Sequence, residues 1–284
     1  MNETKSTQDD VFYQEYTSDD AIRKYSKATA GYGISYLLSH DYGNVYRDAL
    51  QHLSPDIRKR GIRMLEFGCG AGMNVINMIA MLQQQGIPVL QAYGTDFSPV
   101  LIDTAKREAA NYLPKESKSV LEFHVAKNET LIDDLVTAGQ SRASLEGSFH
   151  FILGVNTFRY CHRAGKQLDC AKDIFRLLVP GGICVNIDMS DRFPAFRSTL
   201  KNQFRAHKEE ECYLPSLEEY SAPFASAGFE VLRREHFCWV PHSAGPFMCV
   251  VLRALTPVLN AVARSRAMRS LVVARKPVSG GKSA

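Results

Sequence analysis

The 284-residue sequence has seven cysteines but no Cys-x-x-Cys pair, and it has a single tryptophan. Because the cysteines are spread over a mid-sized chain, we expect neither a disulfide scaffold nor a structural zinc site. No cluster of carboxylates or histidines has metal-ligand spacing, so we expect no metal. The first ten residues are polar and acidic, unlike a secretory signal or a transit peptide. These features predict a cytoplasmic protein.

Long apolar segments are also scarce. The longest candidate, residues 245–263, contains one arginine, one asparagine and two prolines. A membrane-spanning helix needs about 20 predominantly apolar residues. We therefore expect a core helix or an interfacial helix here rather than a membrane span.

Acidic residues are nearly absent from the C-terminal part. From Arg233 to the end there are nine Lys and Arg residues and one acid, Glu235. Such an excess can mark a face for nucleic acid or an anionic membrane, and equally a solvated helix face with a basic tail. Because aromatic residues are not interleaved with the basic ones, we expect no nucleic-acid partner. A membrane partner is not expected beyond a surface contact of this basic region.

From Arg63 onward, predicted strands alternate with predicted helices, which indicates an α/β sheet of parallel strands with helices on both faces. Ligands of such sheets bind at the carboxyl ends of the first strands. The domain is expected over 56–278, with a disordered tail at 279–284. The predicted strands are 63–68, 89–96, 120–125, 149–155, 182–189, 229–240 and 269–276, and the main helices are 73–85, 169–178 and 217–227.

The N-terminal segment, residues 1–55, is rich in tyrosine: seven of the twelve tyrosines precede residue 47. Apolar and aromatic residues recur there at roughly helical spacing. We expect a helical cap or lid. Its tyrosines either pack in a core or contact a ligand, and Tyr25 and Tyr32 are the candidates for ligand contact.

A glycine-rich segment, Gly68 to Gly72 (GCGAG), follows the first predicted strand and precedes a helix. Glycine allows a sharp turn and a close approach of a ligand to the backbone. The dinucleotide-binding pattern G-x-G-x-x-G would need glycine at position 73, where the sequence has Met73. Glu66 would repel a pyrophosphate, but its carboxylate can bind an ammonium group.

Asp96 ends the second predicted strand. A carboxylate at this place can accept hydrogen bonds from ribose hydroxyls, each worth about 1.5–3 kcal/mol. It can equally stabilise the N-terminus of the helix that begins near Ser98. Together with the glycine-rich segment, ribose binding is favoured.

Four segments carry a family resemblance: LEFGCGAG (65–72), YGTDFSPVLIDTAK (93–106), FHFILGVNTFRYCH (149–162) and LLVPGGICVNIDMS (177–190). Together they resemble the class I S-adenosylmethionine-dependent methyltransferases. The resemblance implies a doubly wound seven-stranded Rossmann-like methyltransferase sheet, with residues 1–55 as an N-terminal helical lid. It also implies S-adenosyl-L-methionine as a substrate.

The resemblance assigns the cofactor-binding residues one by one. It implies that Glu66 and the loop residues Gly68, Cys69, Gly70 and Gly72 hold the methionine part, that Asp96 holds the ribose, and that Phe97 packs on adenine. Two residues depart from the pattern. Lys127 stands where an acid is common, so the adenine contact passes to Asn128 or to the backbone. His150 stands where aspartate is common.

The segment from Asn156 to His162 follows the fourth strand, where the fold faces the sulfonium and its acceptor. Asn156, Tyr160 and His162 are the catalytic candidates, and Asn156 is also a cofactor-binding candidate. Arg159 could hold an anionic group. The stretch from Trp239 to His242 is a candidate second wall of the site.

We predict methyl transfer to a small-molecule acceptor, such as a natural product of secondary metabolism. Three alternatives remain open. The fold can cyclise the cofactor to azetidine-2-carboxylate and methylthioadenosine, bind the cofactor without catalysis, or methylate nucleic acid through the basic C-terminal region. The segment GVNTF stands where amino-methylating DNA and protein-glutamine enzymes have D/N-P-P-Y/F, which argues against those relatives. The acceptor and the oligomeric state are not determined by the sequence.

Overall fold

In the computed structural model, the described residues are 32–162, 165–194 and 214–278. They form one seven-stranded sheet with helices on both faces. The strands are β1 (Ile62–Phe67), β2 (Val89–Asp96), β3 (Leu121–Val125), β4 (Phe149–Val155), β5 (Leu178–Met189), β6 (Glu230–Phe237) and β7 (Arg269–Arg275).

Eleven α-helices lie within the described ranges. They are α1 (Tyr32–Ser39), α2 (Asp41–Leu50), α3 (Pro55–Arg60), α4 (Met73–Gln84), α5 (Pro99–Tyr112), α6 (Lys115–Lys118), α7 (Leu131–Thr137), α8 (Arg142–Leu145), α9 (Gln167–Leu177), α10 (Leu217–Ser226) and α11 (Pro246–Ala263). Short 3₁₀ turns cover Asn128–Thr130, Phe158–His162 and Arg264–Arg266.

The strand order is β3-β2-β1-β4-β5-β7-β6. This confirms the predicted doubly wound seven-stranded sheet, with one difference. Strand β7 runs antiparallel to both of its neighbours, β5 and β6, whereas the other pairs are parallel. An antiparallel neighbour can be joined without a crossover of the sheet, and apolar periodicity carries no information about strand direction. The order reverses between β1 and β4, which is where ligands of such sheets bind.

Local signals in the sequence account for several element boundaries. The Ser98 hydroxyl accepts a hydrogen bond from Leu101 N at 3.3 Å, and Pro99 occupies the first helical position of α5. Ser216 and Glu219 form a reciprocal capping box at α10. Strand β5 begins at Leu178, four residues before the predicted start, because the VPGG segment continues the strand instead of preceding it.

The two faces of the sheet bury two apolar clusters, because successive strand residues point to opposite faces. Helices α1, α2, α4 and α5 cover one face, and α7, α9 and α10 cover the other. The first cluster includes Leu37, Tyr46, Ile79, Phe151 and Val185. The second includes Phe67, Leu135, Ile152, Ile174 and Phe224.

Helices α1 and α2 belong to the core of the sheet domain. Leu37, Tyr46 and Leu50 are fully buried, and the ring of Tyr46 meets that of Phe151 edge-on with centroids 6.5 Å apart. Tyr25 lies outside the described residues, as does the rest of the segment before Tyr32, so the lid stays a prediction. The predicted disordered tail, residues 279–284, also lies outside them.

The sequence of residues 245–263 predicted either a core helix or an interfacial helix, and helix α11, which forms there, is not a core helix. Cys249 is its one buried residue. The other expectation, an interfacial helix, is taken up below.

Candidate cofactor and acceptor site

The glycine loop (Gly68 to Gly72) joins β1 to α4. Gly68, Gly70 and Gly72 have φ angles of +59°, +53° and +79°, a region that favours glycine. A Cβ at Gly68 would stand 2.5 Å from Thr157 Cβ, and one at Gly72 would lie 3.1 Å from Ala105 Cβ, whereas at Gly70 nothing lies within 4 Å. Gly70 is therefore the position where the loop backbone leaves room for a ligand.

Asp96 ties the end of β2 to the glycine loop. Its Oδ2 accepts the Gly70 N–H at 2.9 Å and its Oδ1 accepts the Ser98 N–H at 3.0 Å. The side chain is buried, and burial raises its pKa while the two hydrogen bonds lower it. Each carboxylate oxygen can accept more than one hydrogen bond, so ribose hydroxyls can bind the same group. The helix-start contact considered from the sequence is thus present, and it does not exclude the ribose.

Glu66 lies beneath the loop, only 1% exposed. Its Oε2 accepts the Val75 N–H at 2.8 Å, in the first turn of α4. Burial, with a smaller contribution from Asp96, raises the pKa of Glu66 to about 8, although hydrogen bonds from Val75 and Asn74 act in the opposite direction. The Tyr46 hydroxyl donates to Asn74 Oδ1 at 3.1 Å. Burial therefore favours the protonated form of Glu66, and a cation that approaches it would favour release of that proton.

Cys69 contributes its backbone to the loop, because its N–H donates to Thr95 O at 2.7 Å. Burial raises the pKa of its thiol well above the usual range, so the thiol stays neutral. Phe97 is half-buried and directly follows Asp96.

Asn128 connects the end of β3 to the end of β4. Its Nδ2 donates to Thr157 Oγ1 at 2.7 Å, and Thr157 is the side chain that packs against Gly68. The two departures from the family pattern have different outcomes. Lys127 directly precedes Asn128 and donates its backbone N–H to Asp134 Oδ2 at 2.8 Å, whereas His150 accepts the Arg63 N–H at 2.9 Å at the opposite, amino end of the sheet.

A polar cluster of Tyr42, Asn156, His242 and Arg269 lies at the end of β4. Asn156 has a φ of +55° and donates its backbone N–H to Ile187 O at 2.8 Å. Arg269 Nη1 donates to Asn156 Oδ1 at 3.4 Å, and its Nη2 lies 3.1 Å from His242 Nε2. The Tyr42 hydroxyl lies 3.2 Å from the same nitrogen.

His242 is neutral within this cluster. Burial lowers its pKa to about 3, and the positive charge of Arg269 lowers it in the same direction. Because arginine only donates hydrogen bonds, His242 Nε2 is the acceptor. The imidazole can therefore orient other groups, but it is a weak base at neutral pH.

Arg159 is held inside the protein. Its Nε lies 3.1 Å from Oδ1 of the fully buried Asp188, and its backbone N–H donates to Oδ2 of the same carboxylate at 3.2 Å. Its Nη2 donates to the Tyr160 hydroxyl at 2.8 Å, with the guanidinium over the ring. Arg159 thus orients Tyr160. His162 ends the same 3₁₀ turn, and its side chain is outside the described part of the structure.

Four residues of the site were not singled out from the sequence: Tyr42, Thr157, Asp188 and Arg269. Tyr42 belongs to the tyrosine-rich segment, which was the one available signal. Arg269 merely begins an apolar strand, and its partner Asn156 lies 113 residues away. Trp239 was singled out with His242, but its Nε1 donates to Asn260 Oδ1 on α11, at 2.8 Å.

The structure also gives observations on Tyr32 and on possible metal ligands. Tyr32 begins α1 with its side chain 51% exposed, so the structure gives it no enclosed position. In the described ranges, no group of three or more His, Cys, Asp or Glu residues could hold a metal ion.

The sequence matches a family described as a methyltransferase domain over residues 38–234. The match covers more than half of the chain, which therefore belongs to this family. A curated relative, the citrinin polyketide synthase of Monascus ruber, is 28% identical over 134 residues, 47% of this chain. The aligned segment is 4% of that much longer protein.

Solved structures share the fold. An S-adenosylmethionine-dependent methyltransferase from Aquifex aeolicus aligns with a TM-score of 0.51 and 17% identity, covering 85% of this chain and 93% of the other. Geranyl diphosphate C-methyltransferase from Streptomyces coelicolor aligns with a TM-score of 0.51 and 16% identity, covering 83% and 78%.

The chain thus belongs to the methyltransferase-domain family, and it has the fold of S-adenosylmethionine-dependent methyltransferases. The residues fit S-adenosylmethionine. The open space at Gly70 leaves room for a ligand against the loop backbone. The two buried carboxylates, Glu66 and Asp96, suit its ammonium group and its ribose hydroxyls.

Proposed function

We propose that the protein transfers a methyl group from S-adenosyl-L-methionine to a small-molecule acceptor bound against the polar cluster. The observation that carries this proposal is the chain of contacts that runs from Tyr42 to His242, from His242 to Arg269 and from Arg269 to Asn156 at the end of β4. Such a cluster of donors and one neutral imidazole suits an acceptor with a polar or anionic group. Nucleic acid is not the expected acceptor, and the expected location is the cytoplasm.

The cofactor residues have separate roles in this proposal. Glu66 binds the ammonium group after losing its proton, Asp96 accepts from the ribose, Phe97 packs on adenine and Asn128 contacts its edge. The loop residues Gly68, Cys69, Gly70 and Gly72 line the methionine part. When bound, the cofactor supplies a methyl group already activated on a positively charged sulfur. The protein's main task is then to hold the acceptor in line with it.

The residues on the acceptor side would position the acceptor and assist removal of its proton. Asn156 faces both ligands, and its oxygen is oriented by Arg269. Tyr160 accepts a hydrogen bond from Arg159, which orients its hydroxyl. His162 is the third candidate. Tyr25 and Tyr32 would close over the cofactor from the N-terminal lid.

A product assay tests this function. Purified protein is incubated with S-adenosyl-L-methionine, alone and with a panel of small phenols, amines and carboxylic acids, and products are identified by mass spectrometry. We expect S-adenosylhomocysteine and one methylated acceptor. Methylthioadenosine formed without an acceptor, above the spontaneous rate, would instead indicate cyclisation, and methylation confined to added RNA or DNA would contradict the small-molecule assignment.

Variants separate the two halves of the site. Asn156→Ala and Tyr160→Phe should lower turnover more than cofactor affinity, the sign of a positioning or transition-state role. Tyr112→Phe, on the exposed face of α5, is the matched control. Equal losses of turnover and cofactor affinity would remove these residues from the acceptor side.

A further inference from the structure

Helix α11 is apolar and faces solvent. Phe247, Val250 and Val262 are 82%, 65% and 76% exposed. Together with its 3₁₀ extension it covers Pro246–Arg266. Among the described helices it alone is long and apolar enough to cross a membrane, judged by length and composition, and only 6% of its most apolar 18 residues are buried. A helix that packs on a soluble core has the opposite arrangement, with its apolar side inward.

The exposed apolar residues form one stripe. Phe247, Val251, Leu255, Val258 and Val262 follow one another at spacings of four, four, three and four residues, which places them on one side of a helix. All five are exposed. The buried Cys249 and the partly buried Leu252 lie on the other side, toward the core. We call the five residues the apolar stripe.

The connections of α11 exclude a membrane span. Strands β6 and β7 are paired up to Phe237 and Arg269, and Met268 N donates to Cys238 O at 2.9 Å. Both ends of the segment are thus tied to one point of the sheet. The eight steps from Cys238 to Pro246 reach at most about 28 Å, less than the roughly 40–45 Å of a bilayer with its headgroups. The helix, about 27 Å long, can only lie along a surface.

The charge around α11 selects the kind of surface. No Asp or Glu occurs after Glu235, which forms an ion pair with Arg264, and Arg253, Arg264 and Arg266 are exposed along the helix and at its end. A second copy packed through the same stripe would bring more arginines to this region and no acid after Glu235. An anionic lipid surface complements both the arginines and the apolar stripe.

We propose that α11 docks the protein on an anionic membrane surface, with the apolar stripe at the acyl boundary and the arginines at the C-terminal end of the helix, Arg264 and Arg266, among the headgroups. This contact adjoins the acceptor side of the site. Arg253 Nη1 lies 3.4 Å from His40 Nε2, and a Cβ at Gly33 of α1 would lie 2.9 Å from Ala244 O, two residues after His242. Docking would therefore place the wall that contains His242 close to the lipid.

Vesicle sedimentation of the full chain tests the proposal independently of catalysis. We expect binding to phosphatidylcholine vesicles with about 30 mol % phosphatidylglycerol, weaker binding to pure phosphatidylcholine, and loss of binding as salt is raised. Val258→Glu should weaken partitioning roughly tenfold or more, because it puts a charge in the stripe. Tyr112→Glu on α5, at a site of similar exposure (61% against 60%), should leave binding unchanged.

Melting curves and cofactor affinity establish that each variant is folded. Absence of binding to anionic vesicles by the folded wild type would overturn the proposal. In that case a dimer seen by light scattering and lost in Val258→Glu would assign the stripe to a second copy. Equal loss of binding in Val258→Glu and Tyr112→Glu would also overturn it.

Discussion

The cofactor side and the acceptor side of the site are held together differently. On the cofactor side, Asp96 and Glu66 bind backbone N–H groups of Gly70 and Val75, which lie 26 and nine residues away in the chain. On the acceptor side, side chains bind side chains: Tyr42 meets His242 across 200 residues and Arg269 meets Asn156 across 113.

This difference has an energetic consequence. Backbone groups exist at every residue, so the cofactor side depends on glycine at a few positions and on the two carboxylates that bind the backbone, Glu66 and Asp96. The acceptor side depends on the identity of each side chain and on four elements being in place together. We therefore expect substitutions on the cofactor side to affect stability and cofactor binding, and those on the acceptor side to affect turnover.

The largest effect is expected from Gly68→Ala. Its φ is +59° and the new Cβ would overlap Thr157, so we expect a loss of about 3 kcal/mol or more in the free energy of unfolding. Gly70→Ala, with nothing within 4 Å, should lose about 1–2 kcal/mol but bind the cofactor at least about tenfold more weakly. Chemical denaturation measures the free energy of unfolding, and calorimetry measures the cofactor affinity. Similar stability losses in both variants would contradict this distinction.

Asp96→Ala should come next. Loss of hydrogen bonds to a charged group costs about 1.5–3 kcal/mol, so cofactor affinity should fall by about one to two powers of ten in calorimetry. Asp103→Ala, an exposed acid on α5, is the control. An unchanged affinity in Asp96→Ala would remove this residue from the ribose.

The pH dependence of stability tests Glu66. Its pKa is raised by burial to about 8 in the folded protein, against about 4.3 for an unperturbed glutamate. Folding favours the protonated form of Glu66. The stability that this preference contributes is complete below the pKa of Glu66 in the unfolded chain, and it is lost as pH rises through the folded pKa of about 8. Between about pH 4.3 and pH 8, Glu66 should lower the free energy of unfolding by up to about 1.4 kcal/mol per pH unit as pH rises. Urea denaturation of the wild type and Glu66→Gln at pH 5, 6.5 and 8 measures it, and identical slopes would contradict the assignment.

The smallest effect is expected from Tyr42→Phe, which removes the hydroxyl beside His242 Nε2. We expect a loss of about 0.5–1.5 kcal/mol in stability, with cofactor affinity unchanged and turnover reduced. Tyr46→Phe, whose hydroxyl donates to Asn74 near Glu66, sharpens the comparison because it should alter cofactor affinity instead. The opposite pattern would show that the two sides are not separable.

Sequence reasoning succeeded where the determinants are local. The start of α5 near Ser98 and the glycine loop are encoded within a few residues, and they lie where the patterns predicted. The antiparallel direction of β7 was not predicted, because it depends on how the chain returns to the sheet. The pairing of Arg269 with Asn156 and of Arg159 with Asp188 could not be predicted either, since it joins residues 113 and 29 apart through the complete fold.

The position of β7 constrains how the molecule is made during synthesis. This strand, although seventh in the chain, lies between β5 and β6 and is buried along six of its seven residues. Strand β6 has no other neighbour in the described sheet, so it cannot join until residues 269–275 have been synthesised. Before that moment β5 presents an open edge, which is prone to pair with other chains. The cofactor side can form early on the ribosome, whereas the acceptor side, which needs Arg269, is completed last.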